Sequence, residues 1–412
     1  MNSREKTILI IGGGASGMTA AIAAARSGAS VTVLEKMDRV GKKILSTGNG
    51  RCNLSNIHEG AAYYHGRQPD FAMEVIRHFP PAKALAFFEE LGLLCTVEDE
   101  GRVYPVCGQA SAVLDVLRLE MSRLGVQVHC QMEIKKIVAG KTGLEVRTCD
   151  GQSFKGYRVI VCTGGKAAPH TGSDGSGFAI LRDLGHTIID PFPGLVQLNL
   201  SAPFLKQADG VRVNATACIV HRGHILREET GELLFTDYGI SGIPIFQLSR
   251  TAGELLRKKS DVFLELSLFP GLSVDEIAVK LAKRFKRTPD YTLEAALIGC
   301  LHKKLIPGAL ATAGIRDIRT LCRQITAGET RRLASILARW TFPVTGTQGY
   351  ARAQVTAGGV DTSEIDPITM QSRVVPGLYM AGEVVDIDGD CGGYNLQWAW
   401  SSGHVAGHAA VK

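Results

Sequence analysis

A glycine-rich turn near the start of the chain constrains the fold more than any other feature. The apolar run from Thr7 to Ile11 leads directly into GGGASG, residues 12–17, and an alanine-rich stretch then continues to about Arg26. This order places a G-x-G-x-x-G pattern between a strand and a helix, which is the setting that dinucleotide-binding folds require. The sequence therefore predicts a Rossmann-like unit at this end of the chain.

Five of the six residues of this turn have a predicted part in binding. Gly12 permits the tight turn, Gly14 lets the backbone approach a pyrophosphate, and Gly17 allows the helix to pack closely against the strand. Ala15 and Ser16 begin a helix whose free N–H groups face the anion. We therefore predict that these five residues bind the phosphates of a dinucleotide.

An acidic residue stands at the end of the second predicted strand. Ser30 to Leu34 has the pattern of that strand, and Glu35 follows it, 35 − 14 = 21 positions after the middle glycine. An acid at this spacing accepts hydrogen bonds from ribose hydroxyls and disfavours a 2′-phosphate. We include Glu35 and the adjacent Lys36 in the predicted cofactor site. The pattern does not choose between NAD and FAD, because both bind in this way.

Residues 41–53, GKKILSTGNGRCN, follow as a long irregular segment. A nicotinamide-binding domain usually continues into another strand and helix, whereas glycines and amides suit a segment that wraps around the middle of FAD. Our interpretation is that it lines the ribityl chain and one edge of the flavin ring; a basic surface loop is the alternative. The residues predicted to bind FAD are Lys43, Asn49, Gly50, Arg51, Cys52 and Asn53. For Cys52, packing in the core is the alternative role.

A second glycine-rich signal lies near the other end of the chain. Residues 377–381, GLYMA, resemble a strand closed by Gly382 and Glu383, and Gly392 and Gly393 precede a helical stretch. The carboxylate can reach the ribityl hydroxyls, and the positive end of the helix dipole can stabilise the negative charge of reduced flavin. The residues predicted to bind FAD here are Gly382, Glu383, Gly392, Gly393, Tyr394 and Asn395.

A third junction of strand and glycine lies between these two signals. Val159 to Cys162 is an apolar run that enters Thr163, Gly164 and Gly165. Such a junction fits the place where a flavin-binding fold returns to cover the adenosine half of the cofactor. We therefore add these three residues to the predicted FAD site.

The middle of the chain has a different pattern. Apolar and polar residues alternate from Val211 to Ile219, which is typical of a strand in an antiparallel sheet or small barrel. Farther along, Ile277, Leu281 and Phe285 recur every four residues and predict an amphipathic helix with a solvated basic face. We therefore expect an inserted module that contains an antiparallel β-barrel and a helical part.

These signals together predict the α/β fold class, with an FAD/NAD(P)-binding Rossmann-like domain that the inserted module interrupts. We expect residues 1–192 and 343–412 to form the discontinuous FAD-binding domain, and residues 193–342 to form the inserted substrate or cap module. Tyr238 and Ser241 lie in FTDYGISG, which we expect to be a glycine-flanked loop of this module, and they are candidates for substrate contact.

Four segments also carry a resemblance to a known family. GGGASG, GKKILSTGNGRCN, YARAQVTAGGV and GLYMAGEVVDIDGDCGGYNLQWAWSSG are similar to segments of the HI0933-like (BaiN-type) family of bacterial FAD-dependent oxidoreductases. The resemblance covers essentially the whole chain and implies FAD as the cofactor. It also implies, as one activity of the family, the reduction of conjugated enones of the bile-acid type. Glu383 stands where the wider flavoprotein pattern has aspartate, and the longer acid should still reach a ribityl hydroxyl.

The motifs that the sequence lacks narrow the predicted reaction. The chain has no second G-x-G-x-x-G and no C-x-x-C pair, which argues against a dedicated NAD(P)H domain and a disulfide relay. We predict hydride transfer between flavin N5 and a small organic substrate over the ring, with NAD(P)H as a candidate donor at the same face. An amine oxidase using O2, a flavin-dependent tRNA-modifying enzyme and a non-catalytic flavin-binding module remain alternatives. No catalytic acid or base stands out.

Composition sets the remaining expectations. The 46 basic and 40 acidic residues give a formal charge of +6, which we take as mild and spread along the chain, so a nucleic acid partner is not expected. The apolar run near the start is too short for a signal peptide or a membrane span, so we expect a cytoplasmic protein without membrane association. We expect no metal site, because His404 and His408 lack a third ligand. The sequence leaves the oligomeric state open.

Overall fold

A computed structural model describes residues 7–140 and 143–412. Its contacts divide the chain into two compact units. The first consists of the described part of Met1–Pro193 together with Ala353–Lys412, and the second is Gly194–Arg352.

The strands of both units follow in chain order. They are β1 (Thr7–Ile11), β2 (Ser30–Leu34), β3 (Ser55–Asn56), β4 (Tyr64–His65), β5 (Cys95–Val97), β6 (Arg102–Pro105), β7 (Gln127–His129), β8 (Ile134–Ala139), β9 (Leu144–Thr148), β10 (Ser153–Gly156), β11 (Arg158–Val161), β12 (Ile188–Gly194), β13 (Leu198–Leu200), β14 (Arg212–His221), β15 (His224–Thr236), β16 (Gly239–Ser241), β17 (Phe263–Ser267), β18 (Trp340–Thr347), β19 (Val355–Val360), β20 (Leu378–Met380) and β21 (Asp388–Gly389).

The α-helices connect and cover these strands. They are α1 (Ala15–Arg26), α2 (Asp70–Ile76), α3 (Pro81–Glu90), α4 (Ala110–Arg123), α5 (Ser176–Asp183), α6 (Leu205–Ala208), α7 (Ile243–Arg257), α8 (Val274–Arg287), α9 (Leu293–Leu297), α10 (Ile306–Thr312), α11 (Ala327–Ala338) and α12 (Tyr394–Ala410).

The first unit is built on a parallel five-stranded sheet. Its strand order is β20-β11-β1-β2-β7, and every neighbouring pair is parallel. Ile8 to Ile11 of the central strand are at most 3% exposed, as expected for a parallel sheet covered on both faces. Because the carboxyl ends of β1, β11 and β20 meet at one edge, the three glycine-rich junctions that follow these strands are brought together there.

Helices α1 and α12 pack closely across this unit, although they lie at opposite ends of the sequence. A Cβ added at Gly403 would lie 2.4 Å from the Ser16 carbonyl oxygen, and one added at Gly407 would lie 2.3 Å from the Ala20 carbonyl oxygen. Glycine at both positions therefore allows backbone-to-backbone contact. This contact fixes the first turn of α1 against the closing segment of the chain.

The second unit contains a closed antiparallel barrel in the strand order β13-β16-β15-β14-β17-β18. Ala215, Ala217 and Ile219 of β14 are fully buried, because alternate side chains of a strand face the barrel interior. Helices α8 to α11 form the helical part. The predicted fold class, a Rossmann-like domain with an inserted barrel and helices, is confirmed.

Two expectations differ from the structure. The return to the first unit, expected at residue 343, falls inside β18, where Pro343 pairs with Phe263 of the barrel; the contact units divide after Arg352.

The positive charge is also not spread along the chain. Residues 271–340 carry 13 lysines and arginines and 6 acids, a formal charge of +7. Since the whole chain carries +6, the remainder carries 6 − 7 = −1.

Candidate functional site

The glycine turn between β1 and α1 is closed on one side and open on the other. Gly12 has a φ of +98°, and a Cβ there would lie 2.4 Å from the Cys162 carbonyl oxygen. A Cβ added at Gly17 would lie 1.9 Å from the Gly12 carbonyl oxygen, whereas one added at Gly14 would meet no described atom within 4 Å. The helix begins at Ala15, so its first N–H groups, which have no intrahelical partner, lie on the open side. This arrangement fits a pyrophosphate.

Glu35 lies beside this turn in a fixed orientation. Its side chain is 9% exposed, and its two carboxylate oxygens accept hydrogen bonds from Gly13 N at 2.6 Å and Met37 N at 2.8 Å. Gly13 holds the acid at the turn and was missed in the sequence, where its position between the motif glycines carried no assigned role.

Lys36, predicted to belong to the cofactor site, lies between two acids. Its ammonium lies 2.5 Å from a carboxylate oxygen of Asp174 and 2.8 Å from one of Glu133. These two acids compensate its charge. The sequence could not show this, because both partners lie about a hundred or more positions away in the chain.

Two buried hydroxyl groups lie at the junction after β11. Thr163 Oγ1 and Ser173 Oγ have no hydrogen-bond partner among the residues that the structure describes. A Cβ added at Gly164, which has a φ of +69°, would lie 3.0 Å from Ser173 Oγ. An unpartnered buried hydroxyl is costly, and a polar group of the adenosine half of FAD would satisfy these two. The junction therefore fits the predicted cofactor.

The turn after β20 contacts the first turn of α1. A Cβ added at Gly382 would lie 2.5 Å from Ser16 Oγ, and Ser16 Oγ donates to the Ala381 carbonyl oxygen at 3.4 Å. From α12, Trp398 Nε1 donates to the Gly382 carbonyl oxygen at 3.1 Å, and Ser402 Oγ accepts from Gly382 N at 2.9 Å. The turn is therefore held from two sides, and Trp398 of α12 positions it.

Glu383 is the point where four distant segments meet. Its carboxylate accepts from Lys43 Nζ at 2.8 Å and from Thr356 N at 3.1 Å. A Cβ added at Gly165 would lie 2.3 Å from Thr356 Oγ1 and 2.6 Å from Glu383 Oε1. The hydroxyl of Thr356 in turn accepts from the backbone N–H groups of Lys166 and Ala167. Thr356 was missed in the sequence, although it lies in the segment YARAQVTAGGV that carried the family resemblance.

The segment GKKILSTGNGRCN has an irregular backbone. Gly48, Asn49 and Gly50 lie in the left-handed region with φ values of 55°, 55° and 83°, which accounts for the glycines and the asparagine. Cys52 also has a positive φ, is fully buried, and burial raises its thiol pKa to about 12. Cys52 is therefore a packed, protonated thiol.

Two polar side chains of this segment point to different partners. The Arg51 guanidinium forms an exposed ion pair with Glu98 and lies 4.2 Å from the centre of the Tyr104 ring; its predicted cofactor contact stays a prediction. The Asn53 amide, in the orientation that satisfies both of its ends, donates to Ser55 O at 3.1 Å and accepts from Gly393 N at 3.2 Å. Asn53 therefore joins this segment to the start of α12.

The start of α12 is built by close backbone approach. Gly393 has a φ of +102°, and a Cβ there would lie 2.3 Å from the Ser55 carbonyl oxygen. Tyr394 is buried and stacks on Tyr63 with ring centres 4.4 Å apart. The Asn395 amide is used within the protein, where it bonds the N–H and the carbonyl of Gly389 at 2.8 and 2.7 Å. Asn395 therefore shapes the loop before the helix, and its predicted cofactor contact stays a prediction.

The two candidate substrate residues lie in different environments. Tyr238 is partly exposed and lines a surface depression of about 450 Å³, together with Leu200, Lys206 and Asp237. Ser241 is 9% exposed in β16, where it pairs with Leu234 of β15. The stretch expected to be a loop is thus partly a barrel strand, and Ser241 faces no open surface.

The remaining expectations concern metals and membranes. Within the described residues, no group of three or more His, Cys, Asp or Glu side chains is placed to hold a metal ion. The His404 ring stacks on Phe79 at 4.1 Å, and burial lowers its pKa to about 4. None of the helices in the described part of the chain combines the length and the apolar character needed to cross a membrane.

The parallel sheet, with its glycine turns at the carboxyl ends of the strands, defines a Rossmann-type dinucleotide-binding fold. The chain belongs to the HI0933-like family, because the family model described as "HI0933-like protein Rossmann domain" matches residues 6–409. The family predicted from the four sequence segments is thereby confirmed.

Curated relatives extend over nearly the whole chain. A 3-dehydro-bile acid delta(4,6)-reductase from Clostridium scindens is 41% identical over 406 residues, which is 98% of each chain. A ribosomal RNA dihydrouridine synthase from Escherichia coli is 30% identical over 399 residues, or 96% of this chain and 95% of the relative. Another from Haemophilus influenzae is 30% identical over 403 residues, or 96% of each chain.

Proposed function

We propose that the protein reduces a carbon–carbon double bond conjugated to a carbonyl group, with NAD(P)H as the electron donor. The observation that carries the proposal is the meeting of the glycine turn, the Thr163 junction and Glu383 at one edge of the sheet. The named activities of the relatives support the reaction type. A bile acid reductase and a dihydrouridine synthase both act on a double bond next to a carbonyl carbon, since uracil carries its C5–C6 bond beside C4=O.

The residues at this edge would hold FAD by its three parts. The N–H groups at the start of α1 bind the pyrophosphate, Glu35 binds the ribose, and Glu383, held by Lys43 and Thr356 N, binds the ribityl chain. When bound and reduced by NAD(P)H, the flavin would supply the hydride that adds to the β-carbon of the substrate, and a proton from solvent would complete the α-carbon. The N-terminal end of α12 stabilises negative charge at the pyrimidine edge of the ring.

Two substrates of this type are proposed, each from a separate observation. The first is a small enone of the 3-dehydro-bile-acid type, supported by the 41% identity over 98% of the chain. The second is a uracil base in ribosomal RNA, supported by the 30% identical relatives and by the +7 charge of residues 271–340. For both substrates, we propose that residues of the unit Gly194–Arg352 determine which substrate is bound. The hydride transfer itself would be the chemistry of FAD. The cytoplasmic location remains a prediction.

The reaction type is tested with the FAD-loaded protein under anaerobic conditions. We expect NADH or NADPH to bleach the flavin absorbance, and a conjugated 3-keto steroid to restore it while the steroid gains two hydrogens. The matched control is the same steroid with the double bond already saturated, which should leave the flavin reduced. If the saturated control or an amine exchanges electrons with the flavin and the enone does not, the reductase proposal is refuted.

A further inference from the structure

The helical part of the second unit presents a strongly basic surface on α8. Ile277, Leu281 and Phe285 bury one side of this helix at 2–3% exposure. Lys283, Lys286 and Arg287 lie on its exposed side and have no ion-pair partner among residues 7–140 and 143–412. Their positive charges therefore face solvent uncompensated.

The acids of α8 do not neutralise these cations, because they have partners of their own. Asp275 lies 2.7 Å from a guanidinium nitrogen of Arg331. Glu276 forms a capping box with Ser273, accepting from its N–H at 2.8 Å and its hydroxyl at 2.7 Å. Both acids stand in the first turn and the cations in the last two, so the helix separates its charges along its length.

A second basic segment runs beside the end of α8. Arg323 N donates to Pro289 O at 3.0 Å, and Cys322 N donates to Tyr291 O at 2.9 Å, so the segment that carries Arg316, Arg319 and Arg323 is bonded to the loop that follows the helix. All three arginines are exposed. Arg319 and Arg323 form exposed ion pairs with Asp317 and Asp290, and exposed pairs of this kind are weak and can exchange for a phosphate.

An exposed aromatic ring lies within this basic region. Tyr291 is 57% exposed, although its backbone is fixed to Cys322. Aromatic rings on a basic surface are the platforms on which proteins stack unpaired RNA bases. A bile acid carries a single negative charge and can pair with only one or two of these six cations. A polynucleotide carries one negative phosphate per nucleotide and can pair with all of them.

We propose that this basic surface, defined as Lys283, Lys286, Arg287, Arg316, Arg319, Arg323 and Tyr291, binds RNA. The cations contact phosphates, and Tyr291 stacks on a base in a single-stranded loop. The inference rests on the ribosomal RNA form of the proposed function. It concerns binding alone, so its test does not depend on which substrate is reduced.

The test measures binding of the FAD-loaded protein to transcribed ribosomal RNA by filter binding at several salt concentrations. The variant K283Q/K286Q/R287Q should lower the slope of log affinity against log salt by about 2 to 3, at roughly 0.7–0.9 per lost phosphate contact. The matched control R77Q/K135Q/K136Q removes the same charge from exposed positions of the first unit and should leave the slope unchanged. All six positions are solvent-exposed, so both variants should fold.

A second variant separates stacking from charge. Y291A should weaken RNA binding about tenfold at every salt concentration without changing the slope. Reduction of a small enone should proceed at the same rate in all these variants as in the wild type. If the wild-type protein itself does not reduce the enone, the enone form of the proposed function is refuted and this inference is not. Equal effects of the two triple variants, or equally tight binding of duplex DNA or anionic vesicles, would overturn it.

Discussion

Substitution of Gly403 by alanine tests the helix contact on which the FAD site depends. Alanine in a helix is ordinarily better than glycine by about 1 kcal/mol. Here the added methyl would lie 2.4 Å from the Ser16 carbonyl oxygen, against 3.4 Å or more for an ordinary contact. The backbone oxygen cannot rotate away, so α1 and α12 must separate by about 1 Å. Overpacking of this kind costs about 1–3 kcal/mol, so after the gain of about 1 kcal/mol in helix propensity we expect a net loss of about 0–2 kcal/mol.

The same displacement should also weaken FAD binding, because Ser16 belongs to the first turn of α1. Urea unfolding of the apoprotein and titration with FAD measure the two effects. Gly328→Ala is the matched control: it also lies in a helix, and its added Cβ would come no closer than 3.8 Å to a described atom. This control should keep wild-type stability or gain slightly. If Gly403→Ala keeps the wild-type urea midpoint and FAD affinity, the close packing of α1 and α12 is wrong.

Three further predictions concern single side chains. Glu35→Ala should weaken FAD binding roughly 30-fold, because charged hydrogen bonds contribute about 2 kcal/mol; an unchanged dissociation constant would exclude a ribose contact. Arg51→Ala should leave FAD affinity nearly unchanged, since this arginine pairs with Glu98 at the surface, and a large loss would support the predicted cofactor contact instead. His404 resists protonation in the folded state, with its pKa lowered by burial from 6.5 to about 4, whereas the unfolded chain takes up the proton near pH 6.5. Stability should therefore be full above pH 6.5, fall by about 3 kcal/mol as the pH drops to 4, and level off below. His404→Phe, which keeps the stacking on Phe79, should remove that part of the pH dependence of urea unfolding.

Local patterns in the sequence predicted the parts of the site that depend on backbone shape. Gly12 and Gly17 are needed wherever a strand turns tightly into a packed helix, so their spacing alone carries the information. The alternation in β14 likewise predicted a barrel strand, because a strand buried on one face must alternate. Partners were not predictable in this way. Lys36 follows β2 and Arg51 lies in a glycine-rich segment, but the acids that pair with them are fixed only by the tertiary fold.

Thr356 is a second residue whose role could not be predicted from the sequence. Nothing in its local sequence marks it as important, yet its N–H and hydroxyl join Glu383 to the segment after Gly165. The charge distribution was missed for a different reason. The sum of charges over the whole chain is +6, and only a sum over a shorter window shows that residues 271–340 alone carry +7.

The concentration of positive charge in residues 271–340 is relevant to how one fold can serve the two proposed substrates. Hydride transfer to a conjugated double bond needs only a ring placed over the flavin, and the atoms involved are the same in a keto steroid and in uracil. The residues that hold FAD therefore need not change when the substrate does. What must change is the surface that holds the rest of the substrate, which is a small apolar skeleton in one case and a chain of phosphates in the other. In this protein the surplus of positive charge lies entirely in residues 271–340, and the remainder is close to neutral. That distribution supports the proposed RNA substrate, whereas the identity of 41% to the bile acid reductase supports the proposed enone substrate.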